Sequence, residues 1–210
     1  VLATVDLSRK YSSFIAPKNI IRINQENLQQ KFGITATTLT AELAVGLVPK
    51  FSFTVDDPQA KWVNTAMFEP QKPVEIQMGY GNTLETVMVG EVTTVKTVFS
   101  SSAPNIEVYG EGKTLSPAVP APVFGLEYGK TLLDFTSTLT VANLRCAAIC
   151  IGLPDIKPGV VLALTGLAGR FNMNYIVEKA VHSWDGVYGY RTSFEGKALP
   201  RTVGVFRKNI

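Results

Sequence analysis

His182 is the single histidine of the chain, so any acid–base chemistry on an imidazole has to pass through it. A general base needs a positioned nucleophile and a third group that orients the ring. Ser183 and Asp185 are close in sequence, but adjacent residues of a strand point to opposite faces, and no Gly-x-Ser-x-Gly elbow occurs. A structural or interface histidine is expected. Cys146 and Cys150 lie four residues apart. On a strand this puts both on one face, about 13 Å apart from the rise per residue, too far for a disulfide. With no second Cys/His pair to complete a tetrahedral zinc site, they read as buried free thiols.

Two segments resemble phosphate loops. Gly125–Thr131 reads GLEYGKT and Gly110–Thr114 reads GEGKT. A Walker A loop has four residues between its first glycine and its Gly-Lys pair, so that successive amides wrap the phosphate. The first segment has one too few, and the second has Glu107 where the first glycine belongs. Both are expected to be turns or strand ends. The carboxylates are scattered, without a pairing suited to glycoside chemistry, and Asp56-Asp57 reads as a helix-capping pair. Trp62, Phe68, Phe171, Tyr175 and Trp184 read as core or subunit contacts. No catalytic residue, cofactor site or metal site is expected.

The elements that would position these residues are mostly strands. Lys50–Asp56 alternates, with Phe51, Phe53 and Val55 on one face. Asp57 and Pro58 suit the N-cap and first position of a short helix over Gln59–Phe68. Val74, Ile76, Met78 and Tyr80 point one way, Glu75 and Gln77 the other, before a turn at Gly81-Asn82. Gly90 in the return strand is expected to mark a bulge. Further strand signals cover Asn19–Asn24, Thr35–Val45, Ile106–Tyr109, Thr138–Val141, Val160–Leu164, Tyr175–Val181 and Tyr190–Phe194. Pro117–Pro122 reads as a stiff linker.

The two halves echo each other. Val74–Val95 and Val160–Val181 have the same length and the same order of apolar strand, glycine loop and long strand. Each is followed by a strand ending in Glu-Gly-Lys, at Glu111 and at Glu195. The expected fold class is all-β with one or two short helices, as two small β-barrels or sandwiches in tandem related by an internal repeat. The expected domains are a first barrel over 1–112, a linker over 113–130, and a second barrel over 131–200 that reads as incomplete, with a tail over 201–210. The stretch Thr136–Ile151 is abrupt, as though strands of the second barrel were missing.

Composition narrows the partners. The chain of 210 residues is 46% hydrophobic and 18% charged, which supports a packed core and excludes a disordered segment. A formal charge of +3 with no basic cluster gives no specific nucleic-acid site. No apolar run reaches the roughly 18 residues of a membrane span. Asp6, Arg9 and Lys10 interrupt the first apolar residues too early for a secretory leader, so folding in a cytoplasm is expected, which the resemblance described next makes assembly in a bacterial cytoplasm.

The strings YSSFIAPKNIIRIN, KFSFTVDD, KWVNTAMFEPQKPVEIQMGYG and LETVMVGEVTTV, with the later GLPDIKPGVVLALTGLAGRFNMNYIVEKAVHSWDGVYGYRTSFEG, resemble phage late-control protein D. That family is the baseplate hub of contractile tails, and VgrG of type VI secretion and hubs of extracellular injection systems are related to it. The resemblance implies two tube-like barrels per chain and a homotrimer with a central channel. Its six units would match a six-fold inner tube on one side and a three-fold spike on the other. Implied partners are the inner tube protein, the spike protein, other baseplate proteins and a cargo or tape-measure protein in the channel, within a phage virion or an injection particle. Family hubs usually carry more sequence between the barrels, and with no spike repeat in sight the spike is expected on a separate chain or to be lost. The alternatives are a β-barrel binding module for oligonucleotide or glycan, using Arg170-Phe171 and Trp184, and, least favoured, an enzyme using His182.

Overall fold

The computed structural model describes residues 4–11, 14–99, 103–113, 122–141 and 143–200. In chain order the elements are β1 (Thr4–Val5), α1 (Leu7–Lys10), β2 (Pro17–Ile23), β3 (Glu26–Asn27), α2 (Leu28–Phe32), β4 (Ala36–Ala44) and β5 (Lys50–Asp56). Then come β6 (Pro73–Tyr80), β7 (Thr83–Val98), β8 (Asn105–Gly112), β9 (Val123–Glu127) and β10 (Leu132–Leu139). The last four strands are β11 (Leu144–Ile151), β12 (Val161–Thr165), β13 (Asn174–Asp185) and β14 (Gly189–Ala198). The fold is all-β, with α1 and α2 as short helices. Asp6 caps α1, and the Asn27 side chain caps α2 by accepting from the amides of Gln29 and Gln30.

Alternation accounts for the strands best. Phe51, Phe53 and Val55 of β5 and Val74, Ile76, Met78 and Tyr80 of β6 are all buried, on the expected faces. Tyr80 pairs with Thr83 across a two-residue turn, where Gly81 adopts φ 53°. Gly90 does not mark a bulge. The bulges of β7 fall between its ladder partners at Val87 and at Thr93. Gly90 instead lies where β8 crosses close by: a Cβ there would sit 2.1 Å from the Glu111 carbonyl oxygen. Gly90→Ala is therefore expected to lower stability by about 2 kcal/mol or more, measured as a shift in the urea midpoint. A shift under a quarter of that would show that β7 and β8 separate easily.

The two halves have the same strand order. Taking β2, β4, β5, β6, β7 and β8 as first to sixth, the lateral order is first-fourth-fifth-sixth-third-second. Taking β9 to β14 in the same way gives the same order. Irregularities recur as well. The second strand is bulged near its start in both halves, at Thr37 and at Leu133. The fifth strand is bulged against the sixth in both, at Thr93 and at Glu178. The Glu-Gly-Lys echo falls at matching positions, since Glu111 pairs with Lys50 and Glu195 with Ala147 on the third strands. One difference stands out: the first and fourth strands are antiparallel in one half and parallel in the other.

In the first half, β2 and the start of β4 flank α2 around a small cleft. In the second, Tyr128 bridges to Leu132 across a tight turn, bringing β9 to β10. The stretch expected to be abrupt is the hairpin β10–β11, so the second half has six strands that match β2 and β4 to β8 of the first. Residues 123–127, inside the expected linker, are strand β9; most of Pro117–Pro122 lies outside the described residues. The expected helix over Gln59–Phe68 does not form. Ala60 takes φ 50° and the only helical turn is a 3₁₀ turn at Ala66–Phe68. Asp57, 1% exposed, explains this: its carboxylate accepts from the amides of Lys61, Trp62 and Val63 at 2.8–2.9 Å. A helix N-cap would take amides two and three residues on; these lie further along, so the segment wraps the carboxylate as a loop.

Candidate functional site

The distinctive place in the molecule is the joint between the halves. β14 lines one edge of β13. The other edge is shared: β12 pairs with Asn174–Ile176, and β4 of the first half pairs with Lys179–Trp184. The register runs from Lys179 opposite Ala44 to Trp184 opposite Leu39. Lys179 also reaches Glu42 across this ladder at 2.7 Å. The joint thus fuses the halves into one sheet through main-chain hydrogen bonds, and their apolar interiors form one cluster.

A polar knot locks the back of the joint. The loop 152–160 sits against α1, the start of β7 and β13. Lys10 Nζ bridges Asp155 at 2.6 Å and Glu85 at 2.8 Å, and the Tyr11 hydroxyl donates to Asp155. Lys157 Nζ donates to the Thr86 carbonyl at 2.8 Å, and burial lowers its pKa from the usual lysine value. Tyr11, Tyr80 and Tyr190 pack ring to ring, at 5.7 and 6.1 Å between centroids. Burial, with Asp155 beside it, pushes the Tyr11 phenol well above its ordinary range.

His182 is the centre of this knot and is fully buried. A carbonyl can only accept, so Nε2 carries the proton and donates to the Ile156 oxygen at 3.0 Å. Nδ1 lies 3.0 Å from the Tyr190 hydroxyl and 3.1 Å from Thr192 Oγ1. Thr192 Oγ1 in turn accepts from the Leu153 amide at 2.9 Å. Burial, reinforced by Lys157, depresses the ring's pKa to about 3, so it is neutral at physiological pH. Ser183 turns the other way and its hydroxyl donates to the Arg191 carbonyl. The ring therefore ties three segments together and is closed off from solvent.

The remaining sequence candidates sit apart. Cys146 and Cys150 are free and buried on one face of β11, and burial raises the Cys146 thiol to about 12. GLEYGKT is the end of β9 and a turn whose Thr131 hydroxyl accepts from the Glu127 amide. Gly110–Gly112 of GEGKT lie within β8, and Thr114 is outside the described residues. Phe68 and Tyr175 are core, Trp62 packs edge-on against Phe32, and Trp184 is half-buried in the joint. Phe171 packs on Phe135 at 5.9 Å and is covered by the Arg170 guanidinium. Among the described residues no cluster of His, Cys, Asp and Glu is placed to hold a metal, and no helix is long and apolar enough to cross a membrane. Sequence reading missed Lys10, Tyr11, Glu85, Asp155 and Lys157, because nothing local announces a contact made across the chain.

Neither a protein-family model nor a curated protein matches the chain in sequence. Solved structures match it in shape. A tail protein from Neisseria meningitidis MC58 superposes with a TM-score of 0.63 at 6% identity, over 88% of this chain and 97% of that one. The 43 kDa tail protein of prophage MuSo2 from Shewanella oneidensis gives 0.59 at 9% identity, over 86% and 98%. An E. coli component of the type VI secretion system, described as structurally similar to the T4 bacteriophage tail proteins gp27 and gp5, gives 0.56 at 9% identity, over 86% and 77%. The chain shares its fold with these tail and secretion proteins.

Proposed function

We propose that the chain is a structural hub of a contractile tail or injection system. Three copies form a ring of six similar units around a channel, between a six-fold inner tube and a three-fold spike. The observation that carries this is the repeated strand order joined edge to edge through β4 and β13. Two like units held by one such step are what a three-fold ring needs in order to imitate six-fold symmetry. The fold of the tail and secretion proteins named above supports the same reading, as does the absence of an accessible acid–base group at His182. On this view the chain divides into two domains, one ending at β8 and one beginning at β9. Its partners are the tube protein, the spike protein, other baseplate proteins and whatever passes through the channel, and its site of action is the virion or particle.

A sugar- or oligonucleotide-binding barrel would need open aromatic platforms beside basic groups. Arg170 and Phe171 are instead spent on each other and on Phe135. The test is stoichiometry in native particles. Quantitative mass spectrometry of purified tails is expected to give three copies of this chain per particle, and tag labelling should place them at the distal end of the tube. Six copies, or absence from particles, would overturn the reading.

A further inference from the structure

The internal joint has a second, unfilled counterpart. β4 is the second strand of its half, and it lies along the free part of the fifth strand of the other half, β13. The equivalent second strand in the other half is β10, which pairs only with β11. The equivalent fifth strand is β7. Its early residues pair with β6, and Val92 is held by the backbone of Gln71 and Lys72, leaving the far part of that edge open from Thr94 onward. Short open stretches also remain on β2 and β9, but β7 and β10 are the edges that correspond under the repeat to the two strands of the internal joint.

The register follows from the repeat. Tyr109 and Ser193 hold matching places on the sixth strands, which equates Thr94 with Val181, Val95 with His182, and Lys96 with Ser183. Lys50 and Ala147 match on the third strands, which equates Glu42 with Thr136, Ala41 with Phe135, and Thr40 with Asp134. Applying the internal pairs Val181–Glu42, His182–Ala41 and Ser183–Thr40 gives the new ones. Resting on the ring proposed above, we infer that β7 of one copy pairs antiparallel with β10 of the next, with Thr94 opposite Thr136, Val95 opposite Phe135 and Lys96 opposite Asp134.

Two features that did not enter the alignment agree with it. Lys96 is the only charge on the open part of β7 and Asp134 the only charge on β10; Lys96 already pairs with Glu107 of β8 at 3.1 Å, and the register sets Asp134 on its other side. Opposite charges stabilise directly facing positions and like charges oppose them. Asp134 makes no ion pair among the described residues; its carboxylate accepts only from its neighbour's amide, at 2.8 Å. Apart from these two charges the edges carry little protection. β10 carries no lysine or proline and exposes Leu133 and Leu139, and Phe99 is exposed just beyond β7. Natural edges of this kind are covered or charged unless they are used. Beside the open part of β7 lies a mixed cleft lined by Trp62, Phe68, Val95 and Ile106 together with Asn64 and Glu69, on the face that Phe135 would meet.

The test uses the full chain. Thr94→Cys protein and Thr136→Cys protein, mixed and oxidised, are expected to give a cross-linked dimer that neither gives alone. Directly paired residues bring their Cα atoms within disulfide reach, and the native cysteines are buried. Glu26→Cys mixed with Thr136→Cys should give none. In sedimentation, Lys96→Glu should weaken self-association about tenfold, and adding Asp134→Lys to the same chain should restore it. If the chain assembles normally but the Thr94–Thr136 cross-link fails and Lys96→Glu has no effect, the edge pairing is wrong and the ring stands. If the wild type stays monomeric in solution and in particles, both fall.

Discussion

Asp57→Ala is expected to destabilise the chain by about 3–5 kcal/mol. The carboxylate is buried and accepts three amides at 2.8–2.9 Å, so truncation leaves three donors without partners. The bonds are half-buried and Lys61 is exposed, so each lost partner costs toward the lower end of about 1–3 kcal/mol, and the loop it organises carries Trp62 and Val63 onto the core. Asp57→Asn keeps one acceptor oxygen and should lose roughly half as much. Urea unfolding of both variants measures this. An alanine variant within about 1 kcal/mol of wild type would mean that the loop 58–65 holds its shape without the carboxylate.

The second large effect is acid sensitivity. His182 is neutral in the folded chain, with its pKa depressed to about 3, while an unfolded histidine titrates near 6.5. The unfolded state therefore takes up a proton that the folded state refuses, and folding stability falls as pH falls below about 6.5. The slope is about 1.4 kcal/mol per pH unit, so roughly 2 kcal/mol is lost between pH 6.5 and 5, before ordinary carboxylates protonate. His182→Gln keeps a donor for the Ile156 carbonyl and an acceptor for Tyr190, and removes the titration. Its stability should be flat across that window. Equal slopes in the two proteins would show that the ring can charge inside the fold and that its burial is incomplete.

Much of the architecture was legible from side-chain alternation alone. β5 and β6 announce themselves because each packs one face on the core and sends polar residues to the other. The Glu-Gly-Lys echo was legible for a related reason, since both copies occupy the same place on the sixth strand. β11 was not legible as a strand of a full set, because its inward face is built of Cys146, Ala148 and Cys150, small residues without a strong strand signature. The helix expected after Asp57 failed on a matter of reach: the residue types suit a cap, but the carboxylate bonds amides too far along for one. The joint was invisible for a deeper reason. Asp155, Lys10 and Glu85 meet only once three distant segments are folded, and no spacing rule encodes that.

The joint also sets an order of events in the making of the chain. β1 pairs with β9, Tyr11 binds Asp155, and β4 lies along β13. All three early segments therefore wait for partners from the second half of the chain. On the ribosome the strands from β2 to β8 can complete their own sheet while the nascent chain is still growing. The outer edge of β4 stays bare until β13 emerges, and long-range pairings of this kind close slowly. Two half-made copies on one messenger would each offer that edge to the other, which makes a pause in translation within residues 123–185 the stage at which mispairing between polysome neighbours is most to be expected.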